Sequence, residues 1–208
     1  AGQRAARFWQ EHLARPVEAL QLPAAAARPN LMQSEGAAVQ IDIDAATWTG
    51  FSRHLAQQGI SDFAGLFAAL QFVLARLSGQ KNFCIGTAVA GRQHQQLEAL
   101  IGFFVNILPL RSTLEFDASV DVFLRAVAAE VNQCLSHQGL PFDSIVSSLD
   151  LARDTGRTPL FDVLLVLQNT EIEDLRFGDQ VAEVQPVAST TSQYDLTISA
   201  FPAADGSL

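Results

Sequence analysis

The sequence predicts an α/β layer fold built on a mixed β-sheet packed with helices, and three observations carry that prediction. Segments in which apolar residues alternate with polar ones are interleaved with segments whose apolar residues recur every three to four positions. Residues 160–167 are almost wholly apolar, the composition of a central strand covered on both faces. Hydrophobic residues make up 49% of the 208-residue chain and charged residues only 17%, which is enough apolar surface for a core and unlike a disordered chain.

The elements follow in order. Residues 1–14 read as a helix with Trp9 and Leu13 on one face. Pro16, Pro23 and Pro29 make residues 16–34 an extended connection. Val39, Ile41 and Ile43 alternate with polar residues, the signature of a half-buried strand. Asp44 is placed to cap a helix ended by Gly59, and Ser61 to cap the next, which Gly79 closes. The second helix carries a wide stripe (Phe63, Leu66, Phe67, Leu70, Val73, Leu74 and Leu77) expected to face inward. Residues 83–89 and 103–110 read as strands, the latter at an edge or with an irregular end because Pro109 has no amide hydrogen to give a ladder. Ser119 opens a long helix with Val120, Leu124, Val127 and Val131 inward, and residues 141–149 form a short helix begun by proline. Residues 160–167, 181–187 and 194–201 complete the strands.

The formal net charge of −9 argues against nucleic acid or an anionic membrane as partner, since either would be repelled by the average surface. No apolar run approaches the roughly 20 residues of a membrane span. Cys84 and Cys134 read as two buried thiols rather than a disulfide, and the chain is expected to be soluble and cytoplasmic. Both ends read as cut: the chain starts inside a helical pattern without Met and stops in a turn signal at residues 204–208.

Most constellations that carry chemistry are absent, including a nucleophile elbow, a Walker loop, a dinucleotide fingerprint, H-E-x-x-H and C-x-x-C. His12, His54, His94 and His137 each stand alone in the sequence and read as solvated side chains, with no metal pair among them. Two places nevertheless stand out. Asn106 interrupts an apolar strand, and its amide either joins an internal network or aims at a ligand lying across the strand. Gly91-Arg92 follows a strand directly; the arginine either bonds loop carbonyls or offers its fork of donors to a ligand.

Four segments resemble, in order, motifs of nonribosomal peptide synthetase condensation domains. Ile85-Gly86-Thr87-Ala88-Val89-Ala90-Gly91-Arg92 resembles I-G-x-x-x-A-G-R. Ile101-Gly102-Phe103-Phe104-Val105-Asn106-Ile107 matches I-G-x-F-V-N-T, with Arg111 at the motif's arginine. His137-Gln138-Gly139-Leu140-Pro141-Phe142-Asp143 is similar to H-Q-D-x-P-F-E, and residues 153–161 to R-D-x-S-R-x-P-L-F. The departures are Gly139 for an acidic residue, Asp143 for Glu, Gly156 for Ser, Thr158 for Asn and Ile107 for Thr. The first rival is an epimerization or heterocyclization relative on the same fold; those usually carry an F-T-S-like triplet, and Phe104-Val105-Asn106 speaks against them.

The resemblance implies a chloramphenicol acetyltransferase-like fold, two α/β lobes in a V with a tunnel between them. Residues 1–208 correspond to the C-terminal lobe, truncated at both ends. It also implies peptide-bond formation between a donor thioester and an aminoacyl acceptor. Both arrive on phosphopantetheine arms of upstream and downstream peptidyl carrier proteins, and no cofactor is bound directly. An N-terminal lobe and an adjacent adenylation domain are the further implied partners. The family's H-H-x-x-x-D-G motif belongs to the N-terminal lobe and is nowhere in this sequence. The chain is therefore expected to contain no catalytic residue and to be inactive alone, with Asn106, Gly91 and Arg92 as its substrate-binding residues. A carrier-binding or inter-domain module without catalysis is the rival from a different class.

Overall fold

The computed structural model describes residues 2–24, 27–92, 95–97, 100–151, 154–168, 176–181 and 189–208. Two helix starts are set by side chains that satisfy otherwise unpaired amides of a first turn, whereas Ser119 makes no side-chain cap bond. Asp44 Oδ1 accepts from the Thr47 amide at 2.9 Å and opens α2 (Ala45–Gln57), after α1 (Gly2–His12). Ser61 Oγ accepts from the Ala64 amide at 3.3 Å and opens α3 (Asp62–Ser78), which ends at the left-handed Gly79 (φ 73°). α4 (Val120–Leu135) and α5 (Phe142–Ser147) follow, the latter entered from Pro141.

The strands are β1 (Asn82–Val89), β2 (Asn106–Thr113), β3 (Val163–Leu167), β4 (Arg176–Phe177), β5 (Gln180–Val181) and β6 (Leu196–Ala200). Four of them form the main sheet in the order β2-β1-β3-β6, and β4 and β5 form a separate hairpin. β1 and β2 are antiparallel, while β3 is parallel to both β1 and β6, so the sheet is mixed as expected. Pro109 lies on β2, the edge strand, opposite Gly86, where its missing amide hydrogen breaks no inner ladder. Gly86 leaves room for Phe161, whose ring would lie 2.4 Å from a β-carbon there. Trp9, Phe67, Phe83, Ile85, Leu108, Leu110, Val131 and Val163 are among the fully buried side chains of one continuous core. No single helix among the described residues is long and apolar enough to cross a membrane.

Several expectations are corrected. Residues 39–43 join no strand; Val39 and Ile41 are 85% and 80% exposed, and only Ile43 is paired, exchanging both backbone hydrogen bonds with Leu208. The alternation there describes a ribbon that nothing in the described chain covers. The inward face of α3 is also rotated from the bulky stripe. Ala64, Gly65, Ala68 and Ala75 are buried with Phe67 and Leu74, whereas Val73 and Leu77 face out. Small residues win because α2 crosses closely: a β-carbon on Gly65 would come within 2.2 Å of Leu55. Val120 is likewise exposed. β2 begins at Asn106 rather than at residue 103. Of the strand expected at 181–187, residues 182–187 lie outside the described residues.

Candidate functional site

Antiparallel pairing of β1 with β2 sets Val89 opposite Asn106, so the first two motif segments meet at one end of the sheet. The chain leaves β1 through Ala90 and turns at Gly91, whose φ of 66° is left-handed. A β-carbon on Gly91 would lie 1.9 Å from the Phe104 carbonyl oxygen, so position 91 needs glycine for its dihedral and for backbone approach. Arg92 next to it lays its guanidinium 4.4 Å from the centre of the Phe104 ring and donates through Nη1 to the Leu97 carbonyl.

Asn106 joins this corner to a third motif. Its Nδ2 donates to the carbonyls of Gln138 at 2.9 Å and Leu140 at 2.8 Å, and its Oδ1 accepts from the Phe142 amide at 3.0 Å. Both amide hydrogens and the carbonyl are engaged within the chain, so of the two readings of Asn106 the geometry matches the internal network. Three segments far apart in sequence, 90–92, 103–106 and 138–142, thus meet at one end of the β1–β2 pair. Around them Ile101, Phe103 and Val105 are strongly exposed apolar residues on the approach to β2.

His12 and His137 stand differently from the solvated positions expected of them, whereas His54 is exposed as expected. His137, at the head of the 138–142 loop, is half-buried with its ring stacked 3.9 Å from that of Phe8 and Nδ1 2.9 Å from the Gln133 carbonyl. His12 is mostly buried, 2.7 Å from Glu130 and 3.8 Å from Cys134. His54 is exposed, 3.1 Å from Asp121, and His94 lies outside the described residues. The three described rings contact Phe8, Glu130, Cys134, Gln133 and Asp121 rather than Gly91, Arg92 or Asn106.

A second network joins residues scattered along the sequence, of which Arg157 lies in the 153–161 motif while Arg28 and Asp162 carry no local signal. Asp162 is buried at the start of β3, and Arg157 donates to its carboxylate at 2.5 Å and to the Leu20 carbonyl at 3.1 Å. Arg28 pairs with Asp195, donates to the Gly156 carbonyl at 2.9 Å and approaches Asp162 to 4.0 Å. Burial pushes the Asp162 carboxyl above the usual carboxylate range, with the Arg157 charge opposing it. These pairs bind the proline-rich connection to the turn before β3. Beside them opens a cleft lined by Leu22, Pro23, Arg28, Arg157 and Asp195.

The mixed sheet and its helices superpose on solved synthetase structures. The four-domain nonribosomal peptide synthetase AB3403 matches with a TM-score of 0.90 at 21% identity, over 98% of this chain and 17% of that one. The X-domain from teicoplanin biosynthesis matches with a TM-score of 0.85 at 25% identity, over 97% of this chain and 45% of that one. The fold is therefore of the chloramphenicol acetyltransferase-like α/β class. The condensation-domain family model matches residues 1–208, and the chain belongs to that family. Tyrocidine synthase 3 of Brevibacillus parabrevis is 34% identical over 93% of this chain. Bacitracin synthase 1 of Bacillus licheniformis is 30% identical over 98% of it. The chain spans only 3% and 4% of the length of those two proteins.

Proposed function

We propose that this chain is the C-terminal lobe of a condensation domain in a nonribosomal peptide synthetase. In that reading it walls one side of the tunnel in which a carrier-bound amine attacks a carrier-bound thioester. The family match along the whole chain carries the reading. That the chain amounts to 45% of the X-domain structure supports its being about half of a two-lobed domain. Amide formation from a thioester needs a deprotonated amine held in line and donors for the developing oxyanion. None of the side chains of Gly91, Arg92 and Asn106 is a proton-transfer group, so in this reading the H-H-x-x-x-D-G motif of an N-terminal lobe has to supply it. The test is a parent protein carrying that motif upstream, given donor- and acceptor-loaded carriers. Amide product is expected, lost when the motif's second histidine becomes alanine; a parent without the motif, or with carrier binding and no product, overturns the reading.

The second outcome would favour a binding module, and one observation keeps that reading in play. A teicoplanin X-domain matching with a TM-score of 0.82 at 25% identity was solved in complex with OxyB, so this fold serves as a protein-docking surface elsewhere.

Within the proposed lobe, Asn106 acts as a positioning residue that holds the 138–142 loop against β2. Asn106→Ala strands two carbonyls and one amide, each part-buried, and is expected to destabilise the chain by about 1–3 kcal/mol. Asn106→Asp keeps the acceptor for Phe142 but sets a charge against two carbonyls and is expected to be worse. Thermal melts of the three chains check this order, and parent-domain turnover should fall together with the melting temperature. Turnover lost at unchanged stability would instead assign Asn106 direct contact with substrate.

A further inference from the structure

We infer that His12, Glu130 and Cys134 form a three-ligand site for a zinc-class divalent cation, joining the end of α1 to the last turns of α4. The donor atoms already converge. His12 Nε2 lies 2.7 Å from Glu130 Oε1, Cys134 Sγ lies 3.5 Å from the same oxygen, and Sγ lies 3.8 Å from Nε2. All three lie within 4.8 Å of one another. A tetrahedral zinc ion with bonds of about 2.0–2.1 Å to nitrogen and oxygen and 2.3 Å to sulfur sets its ligand atoms roughly 3.3–3.6 Å apart. One of the three spacings, Glu130 to Cys134, meets that already; the His12–Glu130 contact has to open by about half an ångström and the His12–Cys134 contact to close by about 0.2 Å.

Local structure explains why the atoms meet. Glu130 and Cys134 are four residues apart on α4 and so project from one side of it. His12 is the last residue of α1, and its ring is stacked against Phe8 at 5.0 Å and 17°, which limits its rotation. Cys134 is fully buried, while the His12 and Glu130 side chains keep 14% and 24% exposure, leaving an entry and a place for a water as fourth ligand. One imidazole, one thiolate and one carboxylate suit zinc, whereas magnesium and calcium favour all-oxygen shells. A thiolate and a carboxylate together also neutralise the ion's charge, which a partly buried site requires.

The test is titration of the metal-stripped 208-residue chain with Co²⁺ alone and with Zn²⁺ alone. One Co²⁺ per chain is expected, with a thiolate-to-cobalt charge-transfer band that Zn²⁺ abolishes. At roughly a hundredfold excess of free Zn²⁺ over its Kd, the melting temperature should rise by about 5–10 °C. Cys134→Ala should remove the band, and Cys84→Ala, which alters the other buried thiol, should retain it. His12→Gln should weaken Zn²⁺ binding by about tenfold or more. That substitution carries the test if the cysteine variant does not fold. No band in the unaltered chain, a band persisting in Cys134→Ala, or unchanged affinity in His12→Gln overturns the inference and leaves a hydrogen-bonded cluster only.

Discussion

Arg157→Ala is expected to destabilise the chain by about 3–5 kcal/mol, because it removes one partner of a buried ion pair and leaves the other in place. Asp162 keeps only 5% of its side chain exposed, and among the described residues its Oδ1 has no hydrogen-bond partner, so losing the guanidinium strips the carboxylate of its main counter-charge. Arg28, 4.0 Å away and paired with Asp195, compensates little. For a chain of this size the melting temperature should fall by about 10–15 °C. The loss should also depend on pH with a definite sign. Burial already raises the Asp162 carboxyl, and Arg157 is its largest opposing influence, so removing the arginine raises it further. A carboxyl raised in the folded state binds a proton there that the unfolded chain has released. Stability of the variant is then full below the ordinary carboxylate range and is lost as pH rises through the raised folded value. The deficit against the unaltered chain should therefore widen from acid toward neutral pH. Replacing the pair together, as Arg157→Met with Asp162→Leu, should recover most of the loss, since no charge is then stranded. A deficit that stays flat with pH, or a double variant as unstable as the single one, would show that the pair is not what holds this corner.

Asp162 and Arg157 also mark what the sequence hides. Residues 153–161 are legible as a motif, and 160–167 as a central strand, because both signals are local. Nothing local links Arg28 to Asp195 or His12 to Cys134; the sheet order and the α1–α4 crossing bring those together. The caps at Asp44 and Ser61 are legible because one side chain satisfies an amide three residues away. The α3 stripe misleads because bulk is not burial: Gly65, where a β-carbon would strike Leu55 of α2, sets how closely the two helices approach. Asn106 is marked as unusual by its apolar neighbours, but its partners at 138–142 belong to tertiary structure. For residues 39–43 the period is right and the pairing absent, since alternation records which side chains seek cover without naming what supplies it.

Gly91→Ala is expected to cost about 2–4 kcal/mol, from two sources that further variants separate. The first is the left-handed dihedral at φ 66°, which charges a β-carbon about 1–2 kcal/mol. The second is collision with the Phe104 carbonyl oxygen, 1.9 Å from where that carbon would stand. Asparagine tolerates the left-handed region, so Gly91→Asn should relieve the first source while keeping the second, and recover at most about 1 kcal/mol. The colliding atom is backbone, so trimming the neighbouring side chain in Gly91→Ala with Phe104→Ala should rescue nothing. Instead it should add the loss of the ring that Arg92 covers. The strain has one outlet, a shift of residues 102–105 away from the turn. That segment leads straight into Asn106 and, through its three hydrogen bonds, into the 138–142 loop. A methyl group at position 91 should therefore raise hydrogen exchange at the Phe142 amide, whose only acceptor among the described residues is Asn106 Oδ1, while amides at the far end of the β1–β2 pair stay protected. Equal loosening at both ends would mean the turn acts through global stability alone. Loosening confined to the Asn106 end would show that one glycine holds all three motif segments in register.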